Sequence, residues 1–137
     1  MQENGMLLDF DTIPRKRTPN SALALPAHSA RDDAELESPV FSAAVEQLRD
    51  AVVSIAAREP RTHLLHLDRE AMQAEFEQSS KLFRFPDTIT VAFEPVDATH
   101  ATLSIYSRAR FGYYDFGVNR KRVQRWLDLL ADKLAGS

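Results

Sequence analysis

Four short runs between Thr62 and Arg108 constrain this chain more than any other feature. Thr62 to Asp68 is the first strand-like run. Met72 to Gln78 places Met72, Ala74 and Phe76 on one side and Gln73, Glu75 and Glu77 on the other. Thr88 to Glu94 sets Ile89, Val91 and Phe93 on one face. Ala101 to Arg108 turns Leu103 and Ile105 inward and Thr102, Ser104, Tyr106 and Arg108 outward. A period of two is the mark of a half-buried strand. The connections are short and polar, which suits hairpins, because a parallel crossover needs a dozen or more residues. The expectation is a four-stranded antiparallel meander.

Two helical patterns flank these runs. Ser38-Pro39 reads as an N-cap followed by proline at the first helical position. Phe41, Val45, Leu48, Val52 and Ile55 then recur at three- and four-residue spacing as far as Arg58, and Pro60 stops the pattern. Near the other end, Asn119 is a candidate N-cap. Val123, Trp126, Leu127, Leu130 and Leu134 make the stripe of a last helix, with Gly136 as its C-terminal cap. Residues 1–37 show no periodicity and read as an extended arm and solvated loop, anchored by Leu7, Leu8, Phe10, Ile13, Leu23 and Leu25. The fold class expected is α+β: a two-layer sandwich, residues 38–137, whose meander sheet is covered on its apolar face by both helices. Its other face would be polar.

The 137 residues fit a single domain able to bury a core. Net charge is −3, so the chain as a whole implies no general affinity for nucleic acid or anionic membrane. There is no cysteine, which excludes disulfides, thiolate metal sites and a cysteine nucleophile. No run reaches the ~18 apolar residues of a membrane-spanning helix. Met1 to Asp11 lacks the basic and apolar regions of a signal peptide. The default expectation is a cytoplasmic location, with envelope association left open.

Charge is uneven. Ten of the 20 acidic residues precede Arg61, whereas Ala101 to Leu127 holds Arg108, Arg110, Arg120, Lys121, Arg122 and Arg125 against the single acid Asp115. Arg120, Lys121 and Arg122 open the last helix, where the macrodipole already places partial positive charge. A bound phosphate, sulfate or carboxylate would relieve that conflict, since guanidinium forks and free helix N–H groups suit oxyanions. The candidate ligand site is therefore Arg108, Arg110, Arg120 and Arg122, with Asp115 orienting an arginine and Asn119 capping the helix. The competing interpretation is that these arginines pair with acids elsewhere and that Gly112 and Gly117 are turn residues. Phe83, Arg84 and Phe85, between the second and third runs, form either a satellite core or an interaction loop. Arg15-Lys16-Arg17 reads as a solvated basic patch.

Nothing here assembles a catalytic centre. His63 and His66, three apart on a strand, are expected on opposite faces and so make no shared metal site. His28 and His100 stand apart. Ser79, Ser80 and Ser107 lack an evident base, and Glu75 and Glu77 read as solvent-facing residues of an alternating strand. No metal, cofactor or nucleic-acid recognition motif is present.

Several segments together resemble a known family. They are Arg17-x-Pro19-Asn20-x-x-Leu23-x-x-Pro26, Ser38-Pro39-Val40-Phe41, Pro60-Arg61-Thr62, Leu82-Phe83-Arg84-Phe85-Pro86-Asp87, and the long run Ser107-Arg108-x-Arg110-x-Gly112-x-x-Asp115-x-Gly117-x-Asn119-Arg120-x-Arg122. In this order, from about Asp9 to Leu130, the chain resembles the family catalogued as domain of unknown function 1499. The resemblance implies that the Arg/Gly/Asp/Asn run belongs to a common design. It implies no catalytic residue and no cofactor. Three functions follow as expectations: a non-catalytic module binding a small anion, a scaffold meeting a protein partner, or an enzyme acting on an anionic substrate through Asp115 or a serine. The residues favour the first, because they supply a positive clamp without a nucleophile–base pair.

Overall fold

The computed structural model describes residues 7–15, 19–79, 86–110, 112 and 115–135. The four strand-like runs form four consecutive strands, as expected, but the sheet they belong to is larger. In chain order the elements are β1 (Ser21–Pro26), β2 (Leu36–Ser38), α1 (Val45–Arg58), β3 (Thr62–Asp68), β4 (Gln73–Gln78), β5 (Asp87–Asp97), β6 (His100–Ala109) and α2 (Val118–Ala135). The six strands lie in the order β2-β1-β6-β5-β4-β3. All neighbours are antiparallel except β1 and β2, which are parallel. The four-stranded antiparallel sheet expected from sequence thus becomes a six-stranded mixed sheet, and the arm supplies the difference.

β1 was hidden because both of its faces are covered. Ala22 and Ala24 face the helices, while Leu23 and Leu25 face the other way. Its register on β6 pairs Leu23 with Tyr106 and Ala24 with Ile105. The expected helix start at Ser38-Pro39 is also corrected. Ser38 ends β2, Thr102 Oγ1 donates to Pro39 O at 2.8 Å, and Phe41 exchanges backbone hydrogen bonds with Ala101. With the chain tied to β6 there, α1 begins only at Val45. Ala44 is extended, and Gln47 Oε1 accepts the Ala44 N–H at 2.9 Å, half of a capping box.

The helix-facing side holds the main core, built from Ala74, Phe76, Ile89, Val91, Leu103 and Ile105 under Leu48, Val52, Val123, Trp126 and Leu130. Trp126 meets Phe76 edge to face, with centroids 5.5 Å apart and planes at 84°. Such a pair contributes about 0.5–1.5 kcal/mol beyond its burial.

The opposite face is not the polar surface that alternation suggests. Thr102, Ser104 and Tyr106 point there as expected, yet all three are buried. Phe10 and Ile13 of the arm lie against Leu23, Leu25 and Tyr106 as a second core. Gln73 fastens the arm across β4: Leu8 N donates to its Oε1 at 3.0 Å, and its Nε2 donates to Leu8 O at 2.6 Å. Arg31 Nη1 donates to Phe10 O at 3.1 Å. The result is three layers: helices, sheet and arm.

One further correction concerns β3. A bulge between Leu64 and His66 shifts its register, so His63 pairs with Glu77 and His66 with Glu75. The extra residue cancels one alternation, and both histidines share the arm-side face. Even so, no group of three metal-ligating side chains converges among the described residues. No described helix is long and apolar enough to cross a membrane.

Candidate functional site

The long run from Ser107 to Arg122 splits at the sheet. Successive residues of a strand point to opposite faces, so Ser107 goes to the helix side and Arg108 to the arm side. Two separate polar centres result.

The helix-side centre is built around Asn119. Expected as a cap, Asn119 instead lies inside the first turn of α2 and is fully buried. Its Oδ1 accepts from Ser107 Oγ at 2.6 Å and from Arg122 Nη1 at 2.7 Å. Its Nδ2 donates to Asn20 O at 3.2 Å and to Asp115 Oδ2 at 2.8 Å. The capping falls to Asp115, whose Oδ1 accepts the Gly117 N–H at 2.9 Å and whose Oδ2 accepts the Asn119 N–H at 3.1 Å. Gly117, at φ +78°, makes the turn that brings Asp115 over the helix start. Its negative charge there offsets the arginines that open the helix.

Arg122 is engaged in the same centre. Its Nη1 donates to Asp87 Oδ2 at 2.9 Å and to Ser107 Oγ at 3.1 Å, and its Nε donates to Gln78 Oε1. Arg120 reaches elsewhere, donating to Glu35 O at 3.2 Å, and Arg125 pairs with Glu59 beyond α1. The four arginines expected as one clamp therefore do not converge.

Arg108 and Arg110 belong to the arm-side centre, an open cavity of about 360 Å³. Arg15 and Pro14 of the arm close one side, and Thr88, Tyr106 and Ala109 complete the lining. Arg15 is paired with Glu35, its Nη2 donating to both carboxylate oxygens at 2.9 and 2.8 Å, while its buried Nε has no partner among the described residues. Arg110 donates to Thr88 Oγ1 at 2.9 Å and pairs with Glu77 at 3.3 Å. Arg108 differs from both. Its guanidinium lies 4.6 Å from the centroid of the Tyr106 ring. Nη1 donates to Thr90 Oγ1 and Tyr106 O, each at 3.0 Å, and no described carboxylate stands within ion-pair distance. Burial pushes its pKa below the usual arginine range, and neighbouring Arg110 pushes the same way; Glu75 and Tyr106 oppose.

Sequence reasoning found Arg108 and Arg110 but set Arg15 aside as part of a solvated patch. It missed Tyr106 as a lining residue. The signal was available in the arm's apolar anchors, which had to cover some part of the sheet. A second depression of about 720 Å³ lies along the arm, bordered by Asp9, Asp11, His28 and Glu94. There His28 and Glu94 pair with each other at 2.9 Å, and the remaining charges, Asp9 and Asp11, are negative, so that depression offers no comparable site for an anion. Phe83, Arg84 and Phe85 lie outside the described residues.

These features define an α+β module with helices on one sheet face and an arm-roofed, arginine-lined cavity on the other. Residues 12–130 match the family described as Protein of unknown function (DUF1499), and the chain belongs to that family. No curated protein matches it. Two solved structures are similar in fold. One is the di-domain ARO/CYC StfQ from the steffimycin biosynthetic pathway, with TM-score 0.54 and 8% identity over 71% of this chain and 43% of that one. The other is the di-domain ARO/CYC BexL from the BE-7585A biosynthetic pathway, also at 0.54, with 15% identity over 82% and 45%. This chain spans less than half the length of either, and at such identities the likeness is one of fold.

Proposed function

We propose that this protein is a binding module for a small anionic ligand, held in the arm-side cavity by Arg108 with support from Arg110 and Arg15. One observation carries the reading: a half-buried guanidinium faces a cavity without an ion-paired carboxylate. Burying charge without a partner is costly, and a ligand oxyanion is the partner that the cavity admits. Thr88 adds a hydroxyl beside it. Asp115, Asn119 and Arg122 take the complementary role of fixing the loop and helix that follow β6. Fold likeness to ARO/CYC domains is consistent with a sheet-based ligand site without identifying the ligand.

The test is thermal melting of the full chain with small anions at constant ionic strength, for the native protein and Arg108→Gln. A ligand present at 100 times its Kd should add roughly 2.7 kcal/mol of stability, and the variant should lose most of that gain. A panel of carboxylates, phosphates and sulfates that leaves the native melting point unchanged would sink the reading.

A further inference from the structure

Resting on the anion-binding reading, we infer that the ligand is a monocarboxylate with a small apolar body, rather than a phosphate or nucleotide. The charge balance of the cavity selects between them. Arg15 is matched by Glu35, and Arg110 by Glu77. Among the described lining residues only Arg108 is left, so their surplus is a single positive charge. A phosphate dianion would bring a second negative charge close to Glu77 and Glu35, and Glu75 already acts on Arg108 from a distance. A monoanion closes the balance without that repulsion.

The geometry points the same way. Arg108 uses Nη1 for Thr90 and Tyr106. Its Nε and Nη2, the side-on edge of the fork, have no partner within the described protein. That edge offers two parallel donors, matched by the two oxygens of one carboxylate. Arg110 already spends its Nε on Thr88 and its Nη2 on Glu77, so it cannot provide the same edge. The remaining side-chain walls, Pro14 and Tyr106, are largely apolar and suit a hydrocarbon or aromatic body. About 360 Å³ falls at the small end of ligand pockets.

Isothermal titration of the full chain with benzoate, octanoate, inorganic phosphate and AMP at neutral pH tests this. Native protein should bind at least one carboxylate about tenfold more tightly than either phosphate compound. Arg108→Lys, which keeps the charge but loses the fork, should weaken the carboxylate about tenfold. A cooperative melt of that variant will establish that it is folded. Phosphate or AMP binding more tightly than both carboxylates overturns the carboxylate inference and leaves the anion reading intact. Silence from all four probes overturns both. Carboxylate binding unaltered by Arg108→Lys removes the fork from the argument and overturns the inference.

Discussion

Ser107 and Arg108 are consecutive in β6, yet they serve opposite sides of the sheet. Ser107 Oγ donates to the buried Asn119 on the helix side, whereas Arg108 stacks on Tyr106 beneath the arm. One contiguous run of sequence is thereby divided between a centre that holds the fold and a cavity with charge to spare. The two halves should respond differently to mutation.

On the helix side, loss of Asp115 removes the acceptor for two N–H groups at the start of α2. Asp115→Ala should cost about 1 kcal/mol, the usual cost of a lost cap. Asn119→Ala should cost about 1–3 kcal/mol, because it strands buried groups of Ser107 and Arg122. Urea denaturation will read both. Neither change should alter ligand affinity in the arm-side cavity by much, since neither side chain lines it.

Arg108 should behave in the opposite sense. Its hydrogen bonds and ring contact favour folding, but its burial without a carboxylate opposes it. Arg108→Met keeps much of the packing and removes the charge. Stability should stay within about 1 kcal/mol of native, or rise, while anion binding is lost. A loss above about 2 kcal/mol would mark Arg108 as a structural residue.

The contrast between these residues also explains what the sequence discloses. β3 was legible because Thr62 to Asp68 is a strand-like run, and β4 to β6 because each presents a period of two with a clear apolar face. The main core residues Phe76, Ile89, Val91, Leu103 and Ile105 could be named in advance for the same reason. β1 could not, since Ala22 to Leu25 are buried on both sides and show no polar alternation. The false helix start at Ser38 came from a local cap signal overruled by pairing of Leu36 to Ser38 with β1. For the candidate site, charge density marked the right segment. It could not reveal which arginine would meet an acid, because Asp87, Glu77, Glu35 and Glu59 are brought in by strand register and helix packing. The bulge that unites His63 and His66 on one face has no sequence signal in a single chain.

Arm docking should be coupled to the cavity, because Pro14 and Arg15 line it. Phe10 is the large apolar side chain that seats the arm against Leu23, Leu25 and Tyr106. Phe10→Ala should destabilise the protein by about 3 kcal/mol, the low end for aromatic truncation in a core. It should also weaken ligand binding, even though Phe10 is not a lining residue of that cavity. Unchanged affinity in a folded Phe10→Ala protein would show that the cavity does not depend on the seated arm.

Gly117 should resist replacement on backbone grounds alone. A Cβ there meets nothing within 4 Å, but φ is +78°. Gly117→Ala should therefore cost roughly 1–2 kcal/mol through the left-handed conformation, measured by urea denaturation. No loss of stability would mean that the turn before α2 relaxes without disturbing Asp115.

Acid should loosen the arm through Asp33. Its carboxyl is held below the ordinary value of 3.8, chiefly by hydrogen bonds from Arg31; burial opposes this, and the Arg31 charge acts in the same direction as the hydrogen bonds. Those bonds are 2.8 and 2.9 Å long. Arg31 is raised in turn, first by the same hydrogen bonding, and its Nη1 holds Phe10 O. Because the folded pKa lies below the unfolded one, the pair's contribution is present above the unfolded value. It is lost as pH falls through the folded value. Asp33→Asn removes that contribution at every pH. Melting temperatures of native and Asp33→Asn proteins should differ at pH about 6, and the difference should shrink as pH falls below the ordinary value of 3.8 and through the lower folded one. A difference that persists undiminished in acid would show that Asp33 acts through packing rather than charge.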